Sequence, residues 1–381
     1  MNVGVIGFGA RAEGVISNFK QFEMDAKVSA VYDTNSEAAK QKLKNLGYNL
    51  DQVTFYEDLD EMLQNGKLDG VMVATNCDTH TDLAVKVMAY QLPMFLEKPV
   101  AINFEQIRKL QEAAKTYTKE AVVSFPLRVS TLCQLAKEII DSGKLGTIEQ
   151  VQAVNNVAYG RVYYHDWYRN DALTGGLFLQ KSTHDLDYIN YLLGLEPKMI
   201  CAMESKQIFT GDKEAGLTCS KCEEYKTCTE SPYSLKHHQF GEASYGEGCS
   251  FAVDTGNHDS ASVIVQYETG MHSVYTQNFF VRKDAGKRGA RLIGYKGTLE
   301  FDWITGELKV FHHMEQKVET HVIKNNHLYH YGGDKVLCEN FIEVMKGTGK
   351  SKAPLEAGIQ SALMCLHAKE SAKTHQFYEV K

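Results

Sequence analysis

The chain has 381 residues, of which 43% are hydrophobic and 23% charged, and its formal net charge is −7. This length predicts two domains, the composition is typical of a globular protein, and the negative charge argues against a broad nucleic-acid or anionic-membrane surface. No segment approaches the roughly 18 apolar residues that span a bilayer, and a structural motif begins by residue 3 in place of a signal peptide. We therefore expect a cytoplasmic protein with reduced cysteines.

The first predicted elements form a dinucleotide-binding unit. The apolar run VGVIGF (3–8) predicts a buried strand, and its end overlaps a G-x-G-x-x-A turn that spans Gly7 to Ala12 and opens a helical pattern. Such glycines allow a tight turn and a close approach of pyrophosphate, which the helix N-terminus binds. The second predicted strand ends at Asp33, where a carboxylate can bind the ribose of NAD and repel the 2′-phosphate of NADP. A glycine turn with a helix-capping aspartate is the alternative.

Helical and strand patterns then alternate to about residue 125, which predicts a doubly wound parallel sheet of the Rossmann type. We expect an NAD-binding domain over 1–124 and a second domain over 125–381. In two stretches, polar residues follow directly on a predicted strand: ATNCDTHTDLA (74–84) and FLEKPVA (95–101). Ligands of such sheets bind outside the carboxyl ends of the strands, so both stretches are candidate site segments.

With the glycine turn, these stretches resemble the Gfo/Idh/MocA family, the glucose–fructose oxidoreductase and inositol dehydrogenase group, over most of the chain. The triplet Glu97-Lys98-Pro99 is the most specific part of the resemblance, and it implies a cis peptide bond before Pro99 and a site in the cleft between domains. A lysine beside the nicotinamide can donate to a substrate hydroxyl and polarise it. A surface Glu–Lys pair is the alternative.

The resemblance implies a set of cofactor-binding residues: Gly7, Phe8, Gly9, Ala10, Arg11, Asp33, Thr75, Asn76, His80, Glu97 and Lys98. The family stretch Thr-Pro-Asn-x-x-His is altered here, because Asn76 and Cys77 replace the proline and the asparagine. His80 could therefore contact the cofactor or only cap and pack its loop.

The second domain is predicted to hold a large, open, mostly antiparallel sheet, making the protein α/β in both domains. Residues 132–154 read as a helix, a glycine turn and a strand, and period-two alternation at 259–280 and 290–311 predicts antiparallel strands. The basic stretch 282–291 is interpreted as a solvated hairpin tip, with anion binding as the alternative. Residues 354–375 predict an amphipathic helix, which in relatives packs back against the first domain.

The stretch GGLFLQKSTHDLDYINYLLG (175–194) resembles the family signature G-G-x-x-x-D-x-x-x-H-x-x-D. It reads as a strand giving way to a helix, with Gln180 where many members carry an aspartate. Glutamine cannot take up a proton. His184 is the natural base for a hydroxyl proton near neutral pH, Asp187 could orient its ring, and Lys181 could supply charge. A structural role at the helix start is the alternative for His184 and Asp187.

Further segments resemble a subgroup composed mostly of oxidoreductases of unassigned substrate. They are R-x-S at Arg128, the K-S-x-H-D-x-D run, and H-x-G-G-D at His330. Trp167, in YYHDWYRN, is suited to stacking on a sugar, with core packing as the alternative. The predicted substrate-binding residues are Lys98, Arg128, Trp167, Gln180, His184 and His330, and the predicted catalytic residues are Lys98, Lys181, His184 and Asp187.

A cysteine-bearing segment, C-x2-C-x5-C, brings three thiols close together: Cys219, Cys222 and Cys228. Three thiolates and one more ligand could hold a structural zinc ion tetrahedrally. The fourth ligand could be any of three residues: His237, His238 and Cys249. A polar insertion with reduced thiols and a redox-active pair are the alternatives.

The sequence thus predicts an NAD-dependent oxidoreductase that acts on a secondary alcohol of a sugar, cyclitol or sugar derivative. We expect a homodimer or homotetramer, because open sheet faces pair in this family. Two other functions remain open. One is NAD-dependent glycoside cleavage or epimerisation without net oxidation, and the other is a non-enzymatic sugar- or NAD-sensing regulator.

Overall fold

The computed structural model describes residues 1–234, 246–324 and 329–380. The chain divides into two compact units, each made of several segments. Unit 1 comprises Met1–Leu135, Leu186–Tyr191 and Asn325–Leu363, and unit 2 comprises Ala136–Asp185, Leu192–Lys324 and Met364–Lys381. Unit 1 therefore contains two segments from beyond residue 125, and the chain passes from one unit to the other within three helices.

Unit 1 is built on a six-stranded sheet in the order β3-β2-β1-β4-β5-β6, and every strand pair is parallel. The strands are β1 (Asn2–Ile6), β2 (Lys27–Tyr32), β3 (Thr54–Tyr56), β4 (Gly70–Val73), β5 (Met94–Leu96) and β6 (Ala121–Val123). Apart from Asn2 at the start of β1, the central strands are apolar, and Val5, Val73 and Leu96 are 0% exposed, as expected for parallel strands covered on both faces. The strand order reverses between β1 and β4, which is where ligands bind in such sheets.

The described residues form helices of very different lengths. They are α1 (Ala10–Gln21), α2 (Ser36–Asn45), α3 (Leu59–Asn65), α4 (His80–Ala89), α5 (Phe104–Ala114), α6 (Thr131–Asp141), α7 (Val162–His165), α8 (Asp171–Thr174), α9 (Thr183–Leu193), α10 (Gly333–Met345) and α11 (Leu355–Thr374). Side chains of Asn35, Asp58 and Asn103 cap α2, α3 and α5 by accepting backbone N–H groups. No side chain caps α1, whose N-cap residue is Gly9.

Unit 2 is built on a nine-stranded sheet in the order β14-β13-β12-β11-β7-β10-β9-β8-β15. The strands are β7 (Ile148–Asn156), β8 (Pro197–Ser205), β9 (Ser260–Tyr267), β10 (His272–Asn278), β11 (Lys287–Gly294), β12 (Gly297–Asp302), β13 (Glu307–His312), β14 (Val318–Val322) and β15 (Tyr378–Glu379). Only β7 and β10 pair in parallel, so the prediction of a mostly antiparallel second sheet is confirmed.

Two local predictions were wrong. Residues 175–182 do not form a strand, because α8 ends at Gly175 (φ 74°) and Phe178–Ser182 form a π-helical turn that leads into α9. The basic stretch is not wholly a solvated tip either. Its second half lies in β11, and the side chain of Arg288 is only 12% exposed.

Within the described part of the chain, we find no helix that combines the length and the apolar character needed to cross a membrane.

Candidate active site

In the glycine turn between β1 and α1, Gly7 is packed against the protein, whereas Gly9 has open space beside it. A Cβ atom on Gly7 (φ 81°) would lie 2.6 Å from Thr75 Cγ2 and 2.9 Å from the carbonyl oxygen of Ala74. A Cβ atom on Gly9 would meet nothing within 4 Å. Because α1 has no side-chain cap, the turn offers a pyrophosphate both open space at Gly9 and the backbone amides of a helix N-terminus.

Asp33 holds this turn. One carboxylate oxygen accepts a hydrogen bond from the backbone N–H of Phe8 at 2.6 Å, and the other accepts one from Asn35 N–H at 2.6 Å. A carboxylate has about four lone-pair sites, so further acceptor capacity remains for ribose hydroxyls. The turn and Asp33 therefore fit NAD, the ligand predicted for them.

The loop after β4 presents Asn76 to solvent, whereas His80 is buried at the start of α4. The His80 ring contacts two carbonyl oxygens, those of Pro99 at 2.8 Å from Nδ1 and Thr75 at 3.1 Å from Nε2. Burial lowers the pKa of His80, which favours the neutral ring with a single N–H. These contacts tie two loops together and match the packing alternative for His80.

The Glu97-Lys98-Pro99 triplet follows β5 directly, and the Lys98–Pro99 peptide bond is cis. Glu97 is buried and accepts a hydrogen bond from Arg11 Nε at 2.8 Å, while Lys98 is partly exposed. The triplet thus separates a buried, paired glutamate from a lysine that reaches the surface of unit 1 at the carboxyl end of its strand.

Arg11 is the centre of a polar cluster. Besides Glu97, it donates to Ser124 Oγ at 2.8 Å and to Asp334 Oδ1 at 2.6 Å, and the second oxygen of Asp334 contacts His330 Nδ1 at 2.6 Å. Burial raises the pKa of Asp334, but the hydrogen bond from His330 and the charge of Arg11 outweigh it and lower the pKa to about 2. His330 (φ 49°) is held in a left-handed conformation with its side chain 38% exposed.

Arg128 and Asp187, predicted to bind the substrate and to orient the His184 ring, contact each other in the structure. Arg128 Nε donates to Oδ2 of Asp187 at 2.9 Å and its Nη2 donates to Oδ1 at 2.5 Å. Both residues are buried, and the guanidinium lies 5.2 Å from the ring centroid of Tyr191. The charges of Arg128 and Asp187 are thus directed at each other, and the site roles predicted for the two residues stay predictions.

His184 stands out in unit 2 by its exposure. From Thr174 to Asn190 every residue is buried except His184, which is partly exposed in the first turn of α9. Gln180 is 2% exposed and donates through Nε2 to the carbonyl oxygen of Thr174 at 2.8 Å, so it holds the turn together. Lys181 is 6% exposed and donates to the phenol oxygen of Tyr159.

The sequence prediction missed a buried network around Asp185, which is 0% exposed in its side chain. Its carboxylate accepts hydrogen bonds from Arg288 (2.9 and 3.0 Å), Asn155 Nδ2 (2.9 Å) and Tyr275 Oη (3.0 Å). The network anchors the start of α9 to the sheet of unit 2. The sequence offered only two charges as a signal: Asp185 in the K-S-x-H-D-x-D run and Arg288 in the basic stretch. Neither position reveals that the two side chains pair.

His258 and Trp167 of unit 2 also have partners within the protein. His258 contacts Glu204 Oε2 through Nδ1 at 2.9 Å and Gln277 Nε2 through Nε2 at 3.0 Å. Gln277 also accepts from Ser182 Oγ at 3.0 Å, which extends the polar contacts to the turn before α9. Trp167 is partly exposed and stacks on Tyr168 with ring centroids 4.2 Å apart.

Four thiols, those of Cys219, Cys222, Cys228 and Cys249, line one small cavity of about 10 Å³. Within residues 1–234, 246–324 and 329–380, however, no group of three or more His, Cys, Asp or Glu side chains is arranged to hold a metal ion. Two of the predicted ligands, His237 and His238, lie outside the described residues. The described structure therefore gives the predicted zinc site no support.

A doubly wound sheet with an open glycine turn, an acid after β2 and a lysine after β5 defines a dinucleotide-binding protein of the Rossmann class. Residues 1–125 match the family model described as "Oxidoreductase family, NAD-binding Rossmann fold", and residues 133–300 match the "GFO/IDH/MocA C-terminal domain". The chain belongs to the Gfo/Idh/MocA family of NAD-binding oxidoreductases, which confirms the resemblance.

Individual relatives are distant. YteT of Bacillus subtilis is 27% identical over 325 residues, which are 75% of this chain and 75% of that protein. The myo-inositol 2-dehydrogenase of Thermotoga maritima is 24% identical over 57% of this chain and 61% of its own length. A levoglucosan dehydrogenase, solved in complex with NADH and levoglucosan, shares the fold with a TM-score of 0.79 at 17% identity, covering 100% of this chain and 99% of that one.

Proposed function

We propose that the protein is an NAD-dependent dehydrogenase that oxidises a secondary alcohol of a sugar, a cyclitol or a sugar derivative. The observation that carries the proposal is Lys98, a partly exposed lysine at the carboxyl end of β5 in a unit whose glycine turn fits NAD. The dehydrogenases of inositol and levoglucosan among its relatives support the substrate class.

NAD, when bound, supplies an acceptor for the hydride that leaves the substrate carbon. Gly7 and Gly9 would hold its pyrophosphate, and Asp33 would accept hydrogen bonds from its ribose hydroxyls. A 2′-phosphate would meet the negative charge of Asp33, so NAD is favoured over NADP.

Lys98 would donate to the reacting hydroxyl and stabilise the negative charge that develops on its oxygen. Unit 2 would supply the base that takes the hydroxyl proton. His184 is the base predicted from the sequence, and its isolated exposure in an otherwise buried stretch agrees with a ligand-facing position.

The test begins with calorimetric titration of the purified protein with NAD and with NADP. Nicotinamide reduction is then followed against a panel of cyclitols, sugars and glycosides. We expect tighter binding of NAD and reduction with a member of the first two classes. Lys98→Met should still bind NAD and should lower kcat by about 10²–10⁴-fold, whereas Lys109→Met, at an exposed lysine of α5, should change neither kcat nor the affinity for NAD.

Three results would contradict the proposal in different ways. Failure to bind either nucleotide would reject the cofactor assignment. Cleavage of a glycoside without net NADH formation would favour transient oxidation. Binding of NAD and sugar without hydride transfer for any substrate would favour a sensing role.

A further inference from the structure

Lys181 is a buried cation with an unusual set of partners. Only 6% of it is exposed, and its Nζ donates to Tyr159 Oη and lies 4.5 Å and 5.2 Å from the ring centroids of Tyr159 and Tyr163. These partners are a phenol oxygen and two aromatic faces, none of which carries a formal negative charge. A buried ammonium is costly unless a negative charge compensates it.

Tyr159 itself is accessible, since 50% of it is exposed. It lies in the turn after β7, between Val157, whose N–H donates to the carbonyl oxygen of Asn278 at 2.9 Å, and Gly160. A Cβ atom on Gly160 would lie 2.0 Å from the carbonyl oxygen of Phe279, so the turn is packed directly against that backbone. The packed turn therefore holds the Tyr159 ring, half of which is exposed on unit 2 while its oxygen contacts Lys181.

The apolar side chains beside this turn add to its rigidity. Val157 and Phe279 belong to one buried cluster with Tyr163, Tyr164, Leu177 and Phe209. The Tyr163 ring also packs edge-on against Phe279, with centroids 5.5 Å apart. Groups that act on a substrate need such support, because a misplaced side chain loses much of its effect.

The charges around Tyr159 favour its ionised form. Burial and the nearby Asp185 carboxylate raise the pKa of the phenol, but the charges of Lys181 and Arg288 and the hydrogen bond from Lys181 outweigh both, so the pKa is lowered from its ordinary value. An ammonium can only donate hydrogen bonds, so Lys181 binds the phenolate more strongly than the phenol. Ionisation of Tyr159 also gives the buried ammonium of Lys181 a directly bonded anionic partner.

We propose that Tyr159, activated by Lys181, is the group of unit 2 that takes the proton of the reacting hydroxyl. The inference rests on the proposed function and gives the base a different identity from the one predicted from the sequence. NAD, when bound, would accept the hydride released as the substrate C–H bond breaks, the O–H proton would pass to Tyr159 Oη, and a C=O bond would form. His184 then keeps only its predicted role in substrate binding.

The first experiment needs no substrate. The ultraviolet absorbance of tyrosinate is titrated with pH in the wild type, in Tyr159→Phe and in Lys181→Met. The wild-type-minus-Tyr159→Phe difference should show one tyrosine that ionises below the ordinary pKa of about 10. In Lys181→Met this step should move to higher pH, and Lys181→Arg should restore part of the shift. Tyr295→Phe, at an exposed tyrosine of the same unit, is the control for loss of one phenol.

The second experiment uses the substrate found for the wild type. Tyr159→Phe should lower kcat by about 10²–10⁴-fold with unchanged NAD affinity, because a general base contributes about that factor. In Lys181→Met the limb of the kcat/KM profile where activity rises with pH should move to higher pH, because Tyr159 loses its proton less easily. His184→Gln should raise KM more than it lowers kcat.

The inference and the proposed function fail differently. If the wild type binds no nucleotide and reduces none, the proposed function fails whatever the tyrosine titration shows. The assignment to Tyr159 is overturned if the wild type turns over and Tyr159→Phe retains its kcat. It is also overturned if Tyr159→Phe removes no tyrosinate absorbance step below the ordinary tyrosine pKa. In both cases the dehydrogenase function stands.

Discussion

Asp185 and Asp187 lie two residues apart on α9, yet each is bound by a different arginine in a different unit. Arg288 holds Asp185 and Arg128 holds Asp187, both through two hydrogen bonds. Buried pairs of this kind add little net stability, but removing one partner leaves an uncompensated charge at a cost of about 3–5 kcal/mol. The main effect of the two pairs is therefore to fix the positions of Asp185 and Asp187. Their net contribution to the free energy of unfolding is small.

Asp187 should make stability depend on pH. Burial raises its pKa from 3.8 to about 6, and Arg128 offsets only part of that effect. Between these two pH values the folded state binds a proton that the unfolded chain has lost. The contribution of Asp187 to the free energy of unfolding is therefore complete below pH 3.8 and disappears as pH rises through about 6. We expect the melting temperature of the wild type, measured against Asp187→Asn, to fall across this range.

The same comparison with Asp82→Asn, at an exposed carboxylate, should show no such trend. A constant difference between the wild type and Asp187→Asn from pH 4 to pH 7 would contradict a raised pKa for Asp187.

Among the elements, the turn between β1 and α1 contains two glycines with different reasons to be glycine: packing of the protein at Gly7 and binding of the cofactor at Gly9. Gly7 has a left-handed conformation and packs against Thr75 and Ala74, so a side chain there collides with the protein. Gly9 has an ordinary φ of −73° and open space beside it. The protein alone does not require a glycine at this second position, whereas a pyrophosphate approaching the backbone does.

Alanine substitutions should separate these two roles. Gly9→Ala is expected to leave the melting temperature unchanged and to weaken NAD binding by at least tenfold, because the methyl group enters the space of the pyrophosphate. Gly7→Ala is expected to lower the melting temperature as well. Calorimetry and thermal unfolding of both variants measure the difference, and unchanged NAD affinity in Gly9→Ala would contradict the assigned binding position.

The cysteine-bearing segment of unit 2 invites a test by metal removal. Since no three potential ligands of the described residues are arranged around a metal, we expect no bound zinc and no change in melting temperature on adding a chelator. Elemental analysis of the purified protein and thermal unfolding with and without chelator check this. One zinc ion per chain, lost together with stability in Cys228→Ser, would show instead that the thiols bind metal.

At the scale of the whole molecule, the nine-stranded sheet leaves one face exposed in the single chain. Alternate residues of neighbouring strands form this face, among them Gln152, Val274 and Arg291, around a shallow cavity of about 470 Å³. Ile264 on the next strand is 42% exposed. An open sheet with apolar side chains on its outer face is typical of a surface that pairs with another chain.

We expect sedimentation velocity to show a dimer or a tetramer. Val274→Glu should shift the protein toward smaller species, because it places a charge in the centre of the exposed face. Val253→Glu, at an exposed valine outside the sheet, should leave the assembly unchanged. A monomeric wild type, or a Val274→Glu variant that assembles normally, would contradict pairing through this face.

Local patterns were enough to predict the two sheets, the glycine turn and the family resemblance. Strand periodicity, glycine spacing and short motifs act over a few residues, and they also make Asp33, Lys98 and His184 candidate site residues. Only the tertiary structure decided which charges pair. Arg128 with Asp187, Arg288 with Asp185, and Lys181 with Tyr159 are each joined across 22 or more positions. A residue type specifies the chemistry that a side chain can perform, but the partner brought beside it by folding decides whether that chemistry serves the fold or a ligand.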